Sequence, residues 1–182
     1  MTPEILLKTA IIPALGMLDS KLDTPAARAL LICIALQETG LRARRQMLEA
    51  RDHWWESKPG PANGLWQFER DGGVRGVMVR HAAASAIVLP VIDALLYPRD
   101  PYAVHEALIH NDILACLVAR ALLWSLPAPL PARDNPTEGW RQYISAWRPG
   151  KPHEATWSAH YAAAWRAVAC VDSVELSRSL RQ

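Results

Sequence analysis

The chain has 182 residues, of which 51% are hydrophobic, and its formal net charge at pH 7 is +2. This length and apolar content predict a single domain over residues 1–182 with a full hydrophobic core, and a mobile tail over its last residues, 173–182. A net charge so close to zero disfavours a nucleic-acid-binding protein, which needs a large basic excess to neutralise phosphates.

The first predicted element is a helix over residues 3–18. Its apolar residues recur at helical spacing, and the start signal Thr2-Pro3-Glu4 precedes them. Pro13 predicts a kink or a break within this helix. The segment lacks the basic region and the cleavage site of a secretory signal peptide, and no stretch of the chain has the length and apolar character of a membrane span. We therefore expect a protein that is made in the cytoplasm without a signal peptide or a membrane span.

The second predicted helix covers residues 25–38 and ends in an acid. Thr24 is well placed as its N-cap, Pro25 as its first residue and Gly40 as its C-cap. The run before Glu38 is largely apolar, so this carboxyl group is expected in a partly dry place at the negative end of the helix dipole. Both conditions raise a carboxyl pKa, which a general acid needs in order to protonate a glycosidic oxygen near neutral pH. The alternative interpretation of Glu38 is an ordinary surface acid at a helix end.

Residues 41–73 form a long, irregular and aromatic stretch, with a short helix predicted over 43–51. Long turn-rich segments between helices are more often functional than plain connectors. This one contains the Trp54-Trp55 pair and a glycine-rich segment, 60–68, whose flat backbone and aromatic ring suit a sugar. Residues 64–68 are also a candidate hairpin arm. The alternative is a turn that buries a tryptophan.

The remainder of the chain is predicted to be helical, and no run of residues makes a convincing strand or repeat. The predicted helices cover residues 74–80, 82–96, 102–109, 111–125, 137–146 and 154–169, with Asn111 as a cap. The fold class is therefore mainly α, with a small β or irregular insert after the helix that ends in Glu38. The three cysteines and six histidines lack metal-ligand spacing, and we expect neither a metal nor a cofactor.

Aromatic and acidic side chains supply further candidate site residues. The chain has eight tryptophans, and those in loops are candidate sugar contacts because the C–H faces of a sugar stack on aromatic rings. Packing is the alternative, and the favoured one for Trp124 and Trp165. A hydrolase usually needs a second carboxylate, for which the candidates are Glu49, Asp52, Glu56, Glu69 and Asp71. Each is otherwise a solvated surface charge, and Glu69 is the best placed because it follows the glycine-rich segment directly.

Two motifs in this sequence resemble those of the lysozyme-like lytic transglycosylases. The segment Gln37-Glu38-Thr39-Gly40-Leu41 is similar to the E-S-G-F end of that family's catalytic helix. The segment Gly60-Pro61-Ala62-Asn63-Gly64-Leu65-Trp66-Gln67 is similar to its G-A-x-G-L-M-Q motif, with Trp66 where methionine is usual. The family's late Y-N-x-G motif has a partial counterpart between Tyr143 and Gly150. The whole chain also resembles small proteins that tailed bacteriophages encode.

The resemblance implies a lysozyme-like fold and an enzyme that cleaves the β-1,4 bond between N-acetylmuramic acid and N-acetylglucosamine in peptidoglycan. Glu38 would be the general acid and base. With the loop aromatic residues included, the expected substrate-binding residues are Gly64, Leu65, Trp66, Gln67, Trp54, Trp55, Tyr143 and Trp147. The partners would be the peptidoglycan strand and other phage virion or lysis proteins, and the place of action the bacterial cell wall.

Three alternatives stay open from the sequence. A muramidase would hydrolyse the same bond and use a second carboxylate. A phage structural or assembly protein would keep the scaffold without turnover, which the incomplete Y-N-x-G motif favours. A carbohydrate-binding module would use the tryptophans alone.

Overall fold

The computed structural model describes residues 1–48 and 57–179, with side chains in the last helix described up to residue 173. The chain divides into two compact units. Unit 1 comprises Met1–Gln37 and Leu126–Gln182, and unit 2 comprises Glu38–Ser125. A single domain over residues 1–182 stays a prediction.

The described part of the chain is mainly α with a small antiparallel sheet, as predicted. The α-helices are α1 (Pro3–Leu6), α2 (Ile12–Gly16), α3 (Pro25–Thr39), α4 (Ala82–Ala94), α5 (Pro101–Ala107), α6 (Asp112–Trp124), α7 (Pro136–Trp147) and α8 (Trp157–Ser179). Wider π-helical turns occupy Leu7–Ile11, Arg70–Val74 and Gly76–Arg80, and 3-10 turns occupy Ser20–Leu22 and Glu154–Thr156. Among the described helices, none is by itself long and apolar enough to cross a membrane, although Arg70–Arg80 and Ala82–Ala94, bent by 93°, reach that length and composition together.

The N-terminal helical segment of unit 1 runs from α1 through a π-helical turn into α2. Thr2 caps it, since its Oγ1 accepts a hydrogen bond from the Ile5 N–H at 3.3 Å. Pro13 is the second residue of α2 and follows the π-helical turn Leu7–Ile11. A π turn at this place accommodates the proline ring and the missing N–H, so the predicted kink takes the form of a widened turn.

Aromatic rings pack α7 and α8 together in unit 1. Tyr143 on α7 stacks on Trp157 at the start of α8, with ring centroids 5.2 Å apart and an interplanar angle of 19°. The Trp157 Nε1–H donates to the Pro136 carbonyl oxygen at 2.8 Å, so this buried ring keeps a hydrogen bond. Gly139 permits the close approach, because a Cβ there would lie 2.9 Å from Cε2 of Tyr161.

The last helix, α8, is longer than predicted. Its backbone is helical to Ser179, whereas the sequence predicted an end at residue 169. The helix therefore enters the stretch 173–182, for which a mobile tail is predicted. Residues 180–182 lie outside the described part, and the mobility of the tail stays a prediction.

Unit 2 contains a three-stranded antiparallel sheet in the order β1-β2-β3. The strands are β1 (Arg45–Leu48), β2 (Lys58–Asn63) and β3 (Phe68–Glu69). The sheet follows α3 in sequence, where a small β or irregular insert is predicted. The helix predicted over 43–51 is wrong for 45–48, because those residues pair with β2, while 49–51 lie outside the described residues. Residues 64–67 form a turn rather than a hairpin arm, since the strand begins only at Phe68.

The central strand β2 contains Pro59 and Pro61, which cannot donate hydrogen bonds to a ladder. A bulge in β2 offsets the register, because three β2 residues, 60–62, lie opposite the single β1 residue Gln46. At this bulge the Gln46 Oε1 accepts a hydrogen bond from the Ala62 N–H at 3.3 Å, and Gly60 leaves room for the Gln46 side chain. A side chain thus supplies a partner that the regular ladder lacks.

The helices of unit 2 include α6, which is buried all round. Every residue of α6 from Leu114 to Leu123 is buried, and all of them except Arg120 are apolar, as expected for a helix with apolar side chains on nearly all faces. Its predicted cap is confirmed, because the Asn111 Oδ1 accepts a hydrogen bond from the Leu114 N–H at 3.0 Å. Helix α4 packs against α6, and the two give unit 2 an apolar core.

Candidate active site

Glu38 lies in the last turn of α3 and is half-buried. The helix begins as predicted, with the Thr24 Oγ1 accepting a hydrogen bond from the Ala27 N–H at 3.1 Å and Pro25 as the first helical residue. Gly40, just past its end, has a φ of +57°, which a glycine adopts at little cost. The Glu38 carboxyl group is thus held at the end of a largely buried helix.

Two residues near the candidate site have a strained backbone. Leu41 adopts a φ of +58° and Gln67 a φ of +48°, although neither is a glycine. A residue with a side chain in this left-handed region costs about 1–2 kcal/mol, and such strain tends to be found at binding and catalytic sites. Each of the two sequence motifs therefore contains one strained residue.

Thr39 joins the two motifs through its side chain. Its Oγ1 donates to the Leu65 carbonyl oxygen at 3.2 Å and accepts a hydrogen bond from the Leu41 N–H at 3.2 Å. Thr39 is the neighbour of Glu38, whereas Leu65 lies in the glycine-rich segment, 26 residues after Thr39. The fold therefore brings together the helix end and the segment that the sequence assigned to one site.

The second motif forms a tight turn from Gly64 to Gln67. The Gly64 carbonyl oxygen accepts hydrogen bonds from the Gln67 backbone N–H at 3.0 Å and from its Nε2 at 2.8 Å. The Gly64 N–H donates to the Arg44 carbonyl oxygen at 2.7 Å. Gly64 has a φ of +76°, and a Cβ on it would lie 3.2 Å from both the Cβ and the carbonyl oxygen of Leu108. Dihedral angle and space together require glycine here.

Trp66 does not face a groove. Trp66 and Leu65 are both 0% exposed, so the prediction that the Trp66 ring meets the substrate is wrong. The turn directs these two apolar side chains into the core and leaves Gln67 half-buried. A completely buried indole contributes apolar area to the fold, which is the alternative that the sequence left open. Gln67 is then the large side chain of the turn that a ligand can reach.

A buried histidine anchors both strands that flank the turn. His105 on α5 is 7% exposed. Its Nε2 lies 3.1 Å from the Pro61 carbonyl oxygen on β2 and 3.0 Å from the Phe68 carbonyl oxygen on β3. Carbonyl oxygens only accept, so Nε2 carries a proton and donates it, while Nδ1 lies 3.2 Å from the Asn63 Nδ2. His105 thereby fixes the two strand ends between which the turn is held.

Arg44 connects the same turn to α6. Its Nε and Nη2 donate to the Asp112 carboxylate at 2.7 Å and 2.6 Å, and these bonds raise the pKa of the Arg44 guanidinium. Its carbonyl oxygen accepts the Gly64 N–H. No sequence signal identifies Arg44 or His105, because Asp112 is 68 residues from Arg44 and Asn63 is 42 residues from His105.

The other predicted sugar contacts lie apart in the chain. Tyr143 and Trp147 belong to unit 1, where Tyr143 is 3% exposed and stacked on Trp157. Trp147 is half-buried, with its ring centroid 6.3 Å from that of Tyr143. Packing accounts for the Tyr143 ring, and a role of either residue at Glu38 stays a prediction. Trp54 and Trp55 lie outside the described residues, as do the candidate acids Glu49, Asp52 and Glu56.

The two candidate second acids that the structure describes are exposed. Glu69 on β3 is exposed. Asp71 is also exposed and accepts two hydrogen bonds from Arg70, which lower the pKa of its carboxyl group. Within residues 1–48 and 57–173, His, Cys, Asp and Glu side chains do not group in threes that could hold a metal ion.

Comparison with other proteins does not assign this chain to a family. No family model, curated protein or solved structure matches it.

Proposed function

We propose that this protein is a peptidoglycan lytic transglycosylase that cleaves the bond between N-acetylmuramic acid and N-acetylglucosamine, with Glu38 as general acid and base. The observation that carries the proposal is the hydrogen bond from Thr39 to Leu65, because it joins the helix end bearing Glu38 to the glycine-rich turn. In the family that these motifs resemble, the two segments together form the catalytic core. The element order, a buried helix ending in an acid and then a small antiparallel sheet, supports a lysozyme-like fold for the same reason.

The proposed chemistry needs one carboxyl group that changes its role. Protonated Glu38 donates its proton to the glycosidic oxygen as the bond from that oxygen to C1 of muramic acid breaks, and N-acetylglucosamine leaves with a free hydroxyl. The Glu38 carboxylate then accepts the proton of the muramoyl C6 hydroxyl while the oxygen of that hydroxyl bonds to C1. The product ends in 1,6-anhydromuramic acid, no water is consumed, and Glu38 is protonated again.

The Gly64–Gln67 turn would supply one wall of the sugar site. The Gln67 Nε2 is engaged by the Gly64 carbonyl oxygen, which leaves the amide oxygen as the atom that can accept a hydrogen bond from a sugar hydroxyl. The anchors at His105 and Arg44 make this wall rigid, and rigid placement of binding groups is what orients a substrate for reaction.

The proposed place of action is the bacterial cell wall. The resemblance to phage-encoded proteins suggests that a virion or other lysis proteins bring the enzyme to the peptidoglycan strand. A chain of this kind would act on a long polymer, so its binding site should be open along one side or at both ends.

Zymography in gels that contain purified peptidoglycan tests the proposal. The protein should produce a cleared band, and mass spectrometry of the soluble products should find 1,6-anhydro ends. Reducing ends heavier by one water would identify a muramidase instead, with Glu69 as the candidate second carboxylate. A folded protein that clears nothing would favour the phage scaffold protein, and one that binds the wall without clearing it would favour the binding module.

A further inference from the structure

Unit 2 has a concave surface that begins directly after β3. It is a cleft of about 410 Å³, lined by the π-helical turns Arg70–Val74 and Gly76–Arg80 and by the start of α5. Its walls carry the guanidinium groups of Arg70 and Arg75 and the ring of Tyr102. These residues are distinct from the ones that form the Glu38 site.

Arg70 is held in one orientation within the cleft. Its Nε and Nη2 donate to the Asp71 Oδ2 at 3.2 Å and 2.8 Å, and its Cζ lies 5.8 Å from the centroid of the Tyr102 ring, a cation–π distance. A guanidinium that binds one carboxylate through Nε and Nη2 still has the two N–H groups of Nη1 for another acceptor. Arg70 is thus oriented in advance of any ligand.

Arg75 brings a second positive charge that is loosely paired. Its Nη1 lies 3.9 Å from the Asp71 Oδ1, beyond hydrogen-bond distance, and its side chain is 54% exposed. The single carboxylate of Asp71 therefore lies beside two guanidinium groups. The other acid of the cleft, Asp100, directs its two carboxylate oxygens to backbone N–H groups at the start of α5. The lining of the cleft thus has two arginines and two aspartates, and the charge of Arg80 also acts on Asp71.

The cleft also exposes apolar surface. Tyr102 is 58% exposed and Val79 is 64% exposed, and both line it. Large apolar side chains left in water beside the oriented guanidinium group of Arg70 suit a ligand that has both an apolar part and an acceptor. The planar fork of a guanidinium matches the two oxygens of a carboxylate.

We infer that this cleft binds a carboxylate-bearing peptide, and specifically the acidic peptide attached to the muramic acid of the substrate. This identity of the ligand rests on the proposed function. Arg70 follows β3 directly, so two strand residues, each rising about 3.3 Å, separate it from Gln67. A glycan that contacts the Gly64–Gln67 turn would therefore present its peptide within reach of Arg70 and Arg75.

Calorimetric titration of two soluble probes tests this inference. One is the N-acetylglucosamine–N-acetylmuramic acid disaccharide carrying its tetrapeptide, and the other is chitotetraose, which has neither peptide nor carboxylate. Both are titrated into Glu38→Gln protein, so that turnover does not consume them. Adding Arg75→Gln should weaken binding of the peptide-bearing probe about tenfold and leave chitotetraose binding unchanged.

Arg99→Gln is the matched control. Arg99 is a similarly exposed arginine of unit 2, at 57%, whose guanidinium is bound by Asp93 and does not line the cleft. This variant should bind both probes as the Glu38→Gln parent does. Peptide-probe binding that Arg75→Gln leaves intact, or that Arg99→Gln weakens equally, would overturn the inference. The clearing of peptidoglycan by the unmutated protein tests the proposed function independently. Failure of this inference can therefore be distinguished from failure of the proposed function.

Discussion

Thr39 is the residue whose side chain connects the two halves of the candidate site. Thr39→Val keeps the shape of the side chain but removes both its donor and its acceptor, so it should lower the free energy of unfolding by about 1–2 kcal/mol. Thr39→Ser keeps the hydroxyl and is the control. Urea denaturation of the two variants measures the difference. Equal stability of the valine and serine variants would mean that the bridge to Leu65 contributes nothing in solution.

Gly64 is required by both its backbone angle and its surroundings. Gly64→Ala should lower the free energy of unfolding by about 2 kcal/mol or more, because it adds left-handed strain and a contact with Leu108. Gly16 is the matched control, since a Cβ added to it would meet no atom within 4 Å and its φ is not positive. Gly16→Ala should be neutral or slightly stabilising. Thermal unfolding of both variants tests this, and similar melting temperatures would contradict the close packing of the turn.

At the scale of the elements, the first turn of α7 contains an acid whose charge is fixed by hydrogen bonds. The Arg141 Nε and Nη2 each donate to the Glu138 carboxylate at 2.7 Å. These bonds, with one from Gln142, lower the pKa of Glu138 from 4.5 to about 2. A carboxyl group whose pKa is lower in the folded than in the unfolded protein stabilises the fold at pH values above the unfolded pKa. This contribution is lost as the pH falls from about 4.5 to about 2.

Glu138→Gln should therefore reduce the acid sensitivity of the fold. Its free energy of unfolding should fall less steeply than that of the parent between pH 4.5 and pH 2, as measured by chemical denaturation at a series of pH values. Arg141→Gln removes the largest cause of the shift and should have a similar effect. Parallel profiles of parent and Glu138→Gln over this range would show that the ion pair does not form in solution.

Elements with local sequence signals could be predicted, whereas elements that depend on contacts between distant residues could not. The caps Thr24 and Asn111 lie beside the helices they start, so sequence reasoning found α3 and α6. Strand β2 was not predicted, because its prolines argue against a strand. Its pairing also depends on the Gln46 side chain at a bulge, which is a non-local contact. No property of residues 43–51 alone reveals that partner, and a helix was predicted there.

In the candidate site, too, only the features with local sequence signals could be predicted. Glu38 and the Gly64–Gln67 turn carry motifs that can be read along the chain, and Thr39 connects them in the fold. The direction of the Trp66 ring could not be predicted, because an aromatic residue in a turn suits a groove and a core equally well. The roles of His105 and Arg44 could not be predicted, because the residues that they bind lie far away in the sequence.

At the scale of the whole molecule, the proposed reaction uses one carboxyl group and a substrate hydroxyl. Removal of metal ions should therefore leave activity unchanged. The rate at which purified peptidoglycan loses turbidity should be the same before and after dialysis against EDTA, with a metal-dependent amidase as the positive control. A large loss that added divalent metal restores would contradict the single-carboxylate mechanism.

The assignment of Glu38 as the general acid and base is the central claim, and the release of 1,6-anhydro products from purified peptidoglycan tests it most directly. Glu38→Gln is nearly isosteric but cannot donate an acidic proton, so the initial rate should fall by about two to four orders of magnitude, with the circular dichroism spectrum and melting temperature unchanged. Glu69→Gln, which alters an exposed acid on β3, should keep the rate of the parent. A folded Glu38→Gln protein that releases these products at the parental rate would contradict the account.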